Sequence, residues 1–219
     1  MMIDLHTHSI FSDGVLIPAE LTRRYEAAGY RAIAITDHAD QSNVDFIIPR
    51  IIKITEALNR AQSVTVIPGI EITHVPPEQI AGLVREAREL GAKIIVLHGE
   101  TIAEPVAPGT NLAGIESAID ILAHPGLITP HEVRLAAEKG VSLEITSRSG
   151  HSLTNGHVAR LALEMGAKMV LDSDCHEPQN IVTEEFAKKV ITGAGLPDGF
   201  LSKLLANSHS LVEKAGYVI

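Results

Sequence analysis

Cysteine is nearly absent from this chain, with Cys175 as the sole example. A single thiol excludes an internal disulfide framework and fits a reducing compartment. Aromatic residues are also scarce, at 3% with no Trp. Apolar packing therefore has to come from Ile, Leu, Val and Ala, and a stacking platform for single-stranded nucleic acid is not expected. Basic residues are in deficit, 18 against 27 acidic, for a formal charge of -9 with His neutral. That balance argues against broad attraction to nucleic acid or anionic membranes. Cations held in a cleft would still reverse the local field for an anionic substrate. No apolar run approaches the roughly eighteen residues of a membrane span, and the acidic, histidine-rich first residues are unlike a signal peptide. A cytoplasmic protein without a membrane partner is the expectation.

What is present is 45% hydrophobic residues in 219, enough for a substantial core, with one domain over 1–219 as the economical reading. Short apolar runs near residues 2–6, 31–36, 64–69, 93–97, 119–123, 141–145 and 168–172 read as strands. Helical segments separate them. One spans about 18–28, with Pro18 in its first turn and Gly29 at its end, where each residue is physically useful. Another is expected from about Pro49 to Gln62, and the longest loops are expected at 38–48 and 99–111. Seven units in this length average about 31 residues, the size of a βα repeat. Near-continuous apolar strands are those of parallel strands covered by helices. Periodicity alone leaves both a barrel and an open sheet.

Polar residues recur at one end of these units. His6 and His8 follow the first strand, Asp37 and His38 the second, and Glu71, His98 and His124 later ones, while Asp174 and His176 follow the last. Barrels and open parallel sheets both build their sites at C-terminal strand ends. On an extended backbone residues i and i+2 share a face, so His6 with His8, and Asp174 with His176, can present pairs to one point. Imidazole nitrogens and carboxylate oxygens suit Zn, Mn or Fe, and a bridging carboxylate can neutralise two cations. A multinuclear metal site is expected.

The motifs H-T-H-S at 6–9, S-D-G at 12–14, T-D-H at 36–38, G-I-E at 69–71, H-G-E at 98–100, A-H-P-G at 123–126 and S-D-C-H at 173–176 run through almost the whole chain. Together they resemble the polymerase and histidinol phosphatase (PHP) family. The stretches "HGETIAEPVAPGTN" and "IDILAHPGLITPHEV" resemble its compact archaeal histidinol-phosphatase-like members. The resemblance implies an α/β fold, a distorted seven-stranded (β/α)7 TIM-like barrel, with two or three divalent ions of Zn, Mn or Fe at its C-terminal face. By the same resemblance one ion would be held by His6, His8, Glu71 and Asp174. Glu71 would bridge to a second on His98 and His124, and Asp13, His38 and His176 would hold a third. Some family members carry His at the position of Asp13. The short loops hold no large insertion that would form a substrate cap, so an open, shallow pocket is expected.

The chemistry so implied is hydrolysis of a phosphate ester by ion-activated water. Glu71, Asp174 and His176 are its catalytic residues, with His176 or another acid protonating the leaving group. No serine or cysteine nucleophile is required, because neither "HTHS" nor "DCH" sits in a nucleophile elbow or thiol motif. Arg148 and His151 could bind the phosphate, and Glu100 a polar substrate or a ligand histidine. Asp40 is either an orienting partner of a ligand histidine or a loop acid. Glu144 ends a strand, which does not by itself make it a ligand. His74 reads as a loop residue, His131 as solvent-facing, His157 as part of an amphipathic helix and His209 as part of the C-terminal tail region. Cys175, between Asp174 and His176, should point away from them and pack. The leading reading is a metal-dependent phosphatase for a small phosphorylated metabolite, with histidinol phosphate as a candidate. Alternatives are a nucleotide or nucleic-acid-end phosphoesterase and a noncatalytic, metal-stabilised partner-binding domain. Stable nucleic-acid binding is not expected.

Overall fold

In the computed structural model, which describes residues 2–219, the apolar runs become parallel strands of a nearly closed barrel. The chain runs β1 (Met2–Asp4), α1 (Pro18–Ala27), β2 (Tyr30–Ile35), β3 (His38–Ala39), α2 (Val44–Leu58), β4 (Thr65–Ile72), α3 (Pro77–Glu89) and β5 (Ile94–His98). It continues through α4 (Thr110–Glu116), β6 (Ile121–Ala123), α5 (Pro130–Lys139), β7 (Ser142–Thr146), α6 (Asn155–Met165), β8 (Met169–Asp172), α7 (Glu184–Gly193) and α8 (Leu201–Lys214). Seven strands are ordered β1-β2-β4-β5-β6-β7-β8, and the short β3 pairs beside them with β4. The seven expected strands are all present; β3 is an addition the apolar pattern does not mark.

Strand alternation sorts the side chains into two layers. Ile33, Ile35, Ile70, Ile72, Ile95, Leu97, Leu143 and Ile145 belong to the core shared with the surrounding helices. Each such aliphatic side chain contributes about 1.5–3 kcal/mol on full burial. The intervening residues Ile3, Ala32, Ala34, Ile67, Ile94, Val96, Ile121, Ala123 and Val170 form a second cluster, joined by Leu211 and Val212 of α8. The same alternation places Glu71 between Ile70 and Ile72, and Glu144 between Leu143 and Ile145, so both carboxylates turn away from the helix layer.

The ring closes differently where its first and last strands meet. Among the described residues only Thr7 and Cys175 form a parallel bridge there, with the His8 N–H donating to the Cys175 carbonyl at 2.8 Å. Deeper in the seam carboxylates replace backbone carbonyls. Asp172 accepts from the Leu5 N–H at 2.7 Å, and Asp4 from the Ser173 N–H at 3.2 Å. Asp4 is also held by the Tyr25 hydroxyl at 2.8 Å.

One boundary is corrected. α2 begins at Val44 and carries Pro49 inside it, rather than opening at Pro49. Its buried residues Val44, Ile47, Ile48, Ile51, Thr55 and Leu58 recur at helical spacing from Val44 onward, and packing of that face outweighs the N–H that Pro49 lacks. In contrast, α5 starts where T-P-H-E implies, with Thr129 and Glu132 forming a reciprocal capping box. Among the described residues no helix is long and apolar enough to cross a membrane.

Candidate metal centre

The loop after β1 is shaped by its own hydroxyls. Thr7 donates to the Ala34 carbonyl at 2.7 Å, which pins its side chain toward β2 and leaves His6 and His8 on the other face. Asp37, buried after β2, accepts from the backbone N–H and hydroxyl of Ser9, both at 2.7 Å, and from the N–H and hydroxyl of Ser12 at 3.1 and 2.8 Å. Gly14 of S-D-G lies so close to the loop that a Cβ would sit 2.4 Å from the His8 carbonyl oxygen. The motif folds back on the histidine pair because only glycine fits there.

The strand-end residues converge. His6 Nε2 lies 3.3 Å from Glu71 Oε1 and 3.8 Å from Asp174 Oδ1, and His8 Nε2 lies 3.1 Å from Asp174 Oδ1 and 3.6 Å from Glu71 Oε2. His124 Nε2 is 3.8 Å from both Glu71 Oε1 and Asp174 Oδ2. Asp13 Oδ1 sits 3.4 Å from His38 Nε2 and 3.1 Å from His176 Nε2. Donors about 2.0–2.1 Å from a tetrahedral metal are about 3.3 Å from one another. The separations cluster around that edge length. Buried His6 Nε2, His8 Nε2, His124 Nε2, Glu71 Oε1 and Asp174 Oδ1 have no hydrogen-bond partner, although buried polar atoms are ordinarily paired. The donor set fits divalent ions, and among the described residues the groups that could hold one fall into clusters: His6, His8 and Glu71; His6, His124 and Asp174; His98, His124 and His151; His74, His98 and Glu104; and His8, Asp13, His38 and His176.

The route to this geometry is not plain strand alternation throughout. Asp174 has φ +51° and His124 φ +26°, left-handed conformations that side chains adopt at a cost of about 1–3 kcal/mol. Asp174 and His176 therefore meet through a turn, not along an extended segment. Cys175 between them is fully buried and packed, and burial pushes its thiol up to about 12.

Charge states in the metal-free chain suit coordination. Burial, reinforced by the nearby His38, drives His8 down to about 3, and burial with His98 drives His124 well below its ordinary value, so both imidazoles are neutral. Burial alone would raise the Glu71 and Asp174 carboxyls, but His6 and its neighbouring imidazoles outweigh it and hold both well below the carboxylate range. For His38, burial opposes protonation, yet Glu71 and Asp13 carry it up to about 9.

Two carboxylates emerge beyond those the motifs single out. Glu144 is fully buried; its Oε1 lies 2.8 Å from His6 Nδ1 and its Oε2 accepts from the His124 N–H at 2.8 Å. It orients the His6 imidazole directly and fixes the backbone from which the His124 side chain projects. The signal for it was the L-E-I alternation, which sends an acid inward one turn of the pleat below the strand end. Glu104, on the loop after β5, places Oε2 3.0 Å from His74 Nε2 and 3.2 Å from His98 Nε2, and Oε1 3.4 Å from His151 Nε2. That loop carries no periodicity to announce its direction.

Glu100 requires a correction as a substrate contact. Its Oε1 accepts from the Gly109 and Asn111 N–H groups at 3.0 and 2.9 Å, so the carboxylate fastens the loop onto α4. Glu104 is the loop acid that reaches the pocket. Arg148 and His151 do line it, together with Asp13, His38, Thr73, His74, His98, Glu104, Asp174 and His176, around a cavity of about 270 Å³. Arg148 Nε lies 3.8 Å from Asp174 Oδ2, and His151 Nδ1 is fixed by the Thr101 hydroxyl at 2.8 Å. Asp40 closes its own turn on Ser42. His131 is exposed, and His157 is occupied by the Ile128 carbonyl.

A parallel barrel with imidazoles and carboxylates massed at its C-terminal strand ends defines an α/β barrel protein whose side-chain clusters are suited to binding metal ions. Residues 4–216 match the PHP domain family, and the chain belongs to it. An uncharacterized protein of Methanocaldococcus jannaschii is 47% identical over 207 residues, covering 94% of this chain and 95% of that one. A probable phosphatase of Thermoanaerobacter is 27% identical over 216 residues, covering 90% and 88%. A chain in the cryo-EM structure of archaeal ribonuclease P with mature tRNA superposes with a TM-score of 0.76 at 16% identity, covering 100% of this chain and 93% of that one. Histidinol phosphate phosphatase of Lactococcus lactis, complexed with zinc, L-histidinol and phosphate, gives 0.63 at 17%, covering 89% and 94%. At these identities the two structures speak for the fold.

Proposed function

We propose that this chain is a metal-dependent phosphatase that hydrolyses the phosphate monoester of a small metabolite. The observation that carries the reading is the set of buried, unpartnered nitrogens and oxygens at coordinating separations, beside a cavity lined by Arg148 and His151. Membership of the PHP domain family and a probable phosphatase among the relatives support it. Histidinol phosphate is the first substrate to test, on the strength of the fold shared with the Lactococcus lactis enzyme.

Two or three divalent ions, of Zn, Mn or Fe, would be held by His6, His8, Glu71 and Asp174, by Glu71, His98 and His124, and by Asp13, His38 and His176. Bound there, they would lower the pKa of water and offset charge on the phosphoryl oxygens. Glu71 and Asp174 remain ionised within a buried cluster and set its charge. The Arg148 guanidinium, at the rim, donates to the phosphoryl oxygens, and His151 is oriented toward the same space by Thr101. The third cluster relies on Asp13, which is 59% exposed where Glu71 is 0%, so an ion held there would be the most exchangeable. Without an ion at that position, His176 would be available to protonate the leaving oxygen.

The test is metal analysis followed by turnover on histidinol phosphate, nucleoside monophosphates and short oligonucleotides with added Mn or Zn. Glu71→Ala and Asp174→Ala should each lower metal content and hydrolysis. A metal-replete protein inactive on every ester would refute the reading, and turnover confined to nucleotides would refute the choice of substrate.

A further inference from the structure

The acids at the metal centre differ in how they are held. Glu71 and Asp174 are 0% and 5% exposed at strand ends, whereas Glu104 is 39% exposed and rides on a loop. Yet its two oxygens lie 3.2 Å from His98 Nε2 and 3.4 Å from His151 Nε2. These are the same separations found among the buried donors, close to the edge of a tetrahedron around a metal.

The loop is built to deliver this one carboxylate. Its ends are tied by Glu100, which accepts from Gly109 and Asn111, and by Asn111, which accepts from the Glu100 N–H at 2.9 Å. Pro105 and Pro108 restrict the span between the ties. On the far side His74, with φ +54°, holds Glu104 Oε2 at 3.0 Å. A loop that only needed solubility at its tip would not require a strained histidine to meet it.

We propose that Glu104 is a loop-borne, displaceable ligand of the ion at His98 and His124, occupying the position that an oxygen of the substrate phosphate takes. This rests on the phosphatase reading for the identity of the incoming anion. A carboxylate and a phosphate present the same hard oxygen donors to a cation. The barrel thus supplies its own anion until an ester arrives, and the exposure of Glu104 gives it somewhere to go. Selectivity follows as well: an uncharged ester cannot compete with the carboxylate, whereas a dianionic monoester can.

The experiment uses the full chain loaded with Co(II), whose visible absorption reports coordination, and titrates inorganic phosphate. Glu104→Ala should change the cobalt spectrum in the absence of phosphate and loosen one ion by about tenfold or more against a chelator. Phosphate added to the unaltered protein should drive a spectral change that is diminished in Glu104→Ala. A carboxylate holding the position about nine-tenths of the time weakens phosphate about tenfold, so Glu104→Ala should bind it correspondingly tighter. Glu104→Gln, which preserves the loop's shape, should give a smaller change in the same direction. Unchanged spectra, ion affinity and phosphate affinity in both variants would overturn the proposal and leave Glu104 as a hydrogen-bond acceptor for His74. If the spectral competition is seen but no ester is hydrolysed, Glu104 stands as the displaceable ligand and the phosphatase reading falls.

Discussion

Replacing Glu144 by Gln removes one charge and almost no volume, yet the geometry predicts a large effect. The carboxylate faces two donors. His6, with Nε2 turned to the metal cluster, presents its Nδ1–H to Oε1 at 2.8 Å, and the His124 backbone presents its N–H to Oε2 at 2.8 Å. A glutamine has one carbonyl oxygen and one NH2, so whichever way the amide turns, one donor meets another donor. An unsatisfied buried donor costs about 1–3 kcal/mol, and loss of an outer partner of a ligand histidine weakens metal binding by about 10–100-fold, or about 1.4–2.7 kcal/mol. Glu144→Gln should therefore lose affinity for the ion at His6 to nearly the degree that Glu144→Ala does. Chelator competition followed by metal analysis measures this directly. A Glu144→Gln variant that binds its ions within about twofold of the parent would refute the two-donor account, since that account requires at least about tenfold.

Proton counting offers a second check. His38 is carried up to about 9 in the metal-free chain, so near pH 7.5 it holds a proton that a coordinating metal must displace. Loading stripped protein should release at least about one proton per chain, a release that fades as pH rises through about 9; titration heats in buffers of different ionisation enthalpy would show it, and no net release would contradict the assignment of His38 as a ligand. Gly126, at φ +61°, would place a Cβ 1.8 Å from the Glu100 carbonyl oxygen. Gly126→Ala should cost about 1–3 kcal/mol and lower the melting temperature by several degrees; an unshifted melt would show that the A-H-P-G turn can rearrange.

Legibility in the sequence follows how each residue is positioned. The strand count and order of apolar runs are readable because burial on both faces leaves near-continuous Ile, Leu and Val. His6, His8, Glu71, His98 and His124 are readable because each follows such a run, and the structure gathers them. Closure of the ring is not readable, because it depends on Asp4 and Asp172 lending carboxylates to backbone N–H groups on the opposite strand. Glu100 and Glu104 sit four residues apart in an aperiodic loop, and only the fold determines which one turns inward. The start of α2 is misplaced because Pro49 is a stronger local signal than the apolar face that begins at Val44.

The seam between β1 and β8 gives the metal cluster a mechanical meaning. His6 and His8 stand on one side of that gap and Asp174 on the other, so an ion gripping all three would act as a rivet between the two ends of the barrel. Stripping it leaves a parallel bridge at Thr7 and Cys175, the seam carboxylates and the packing of α8 to hold the ring shut. Hydrogen exchange at the Leu5 and Ser173 amides thus becomes a gauge of loading, rising first where the hoop has lost its clasp.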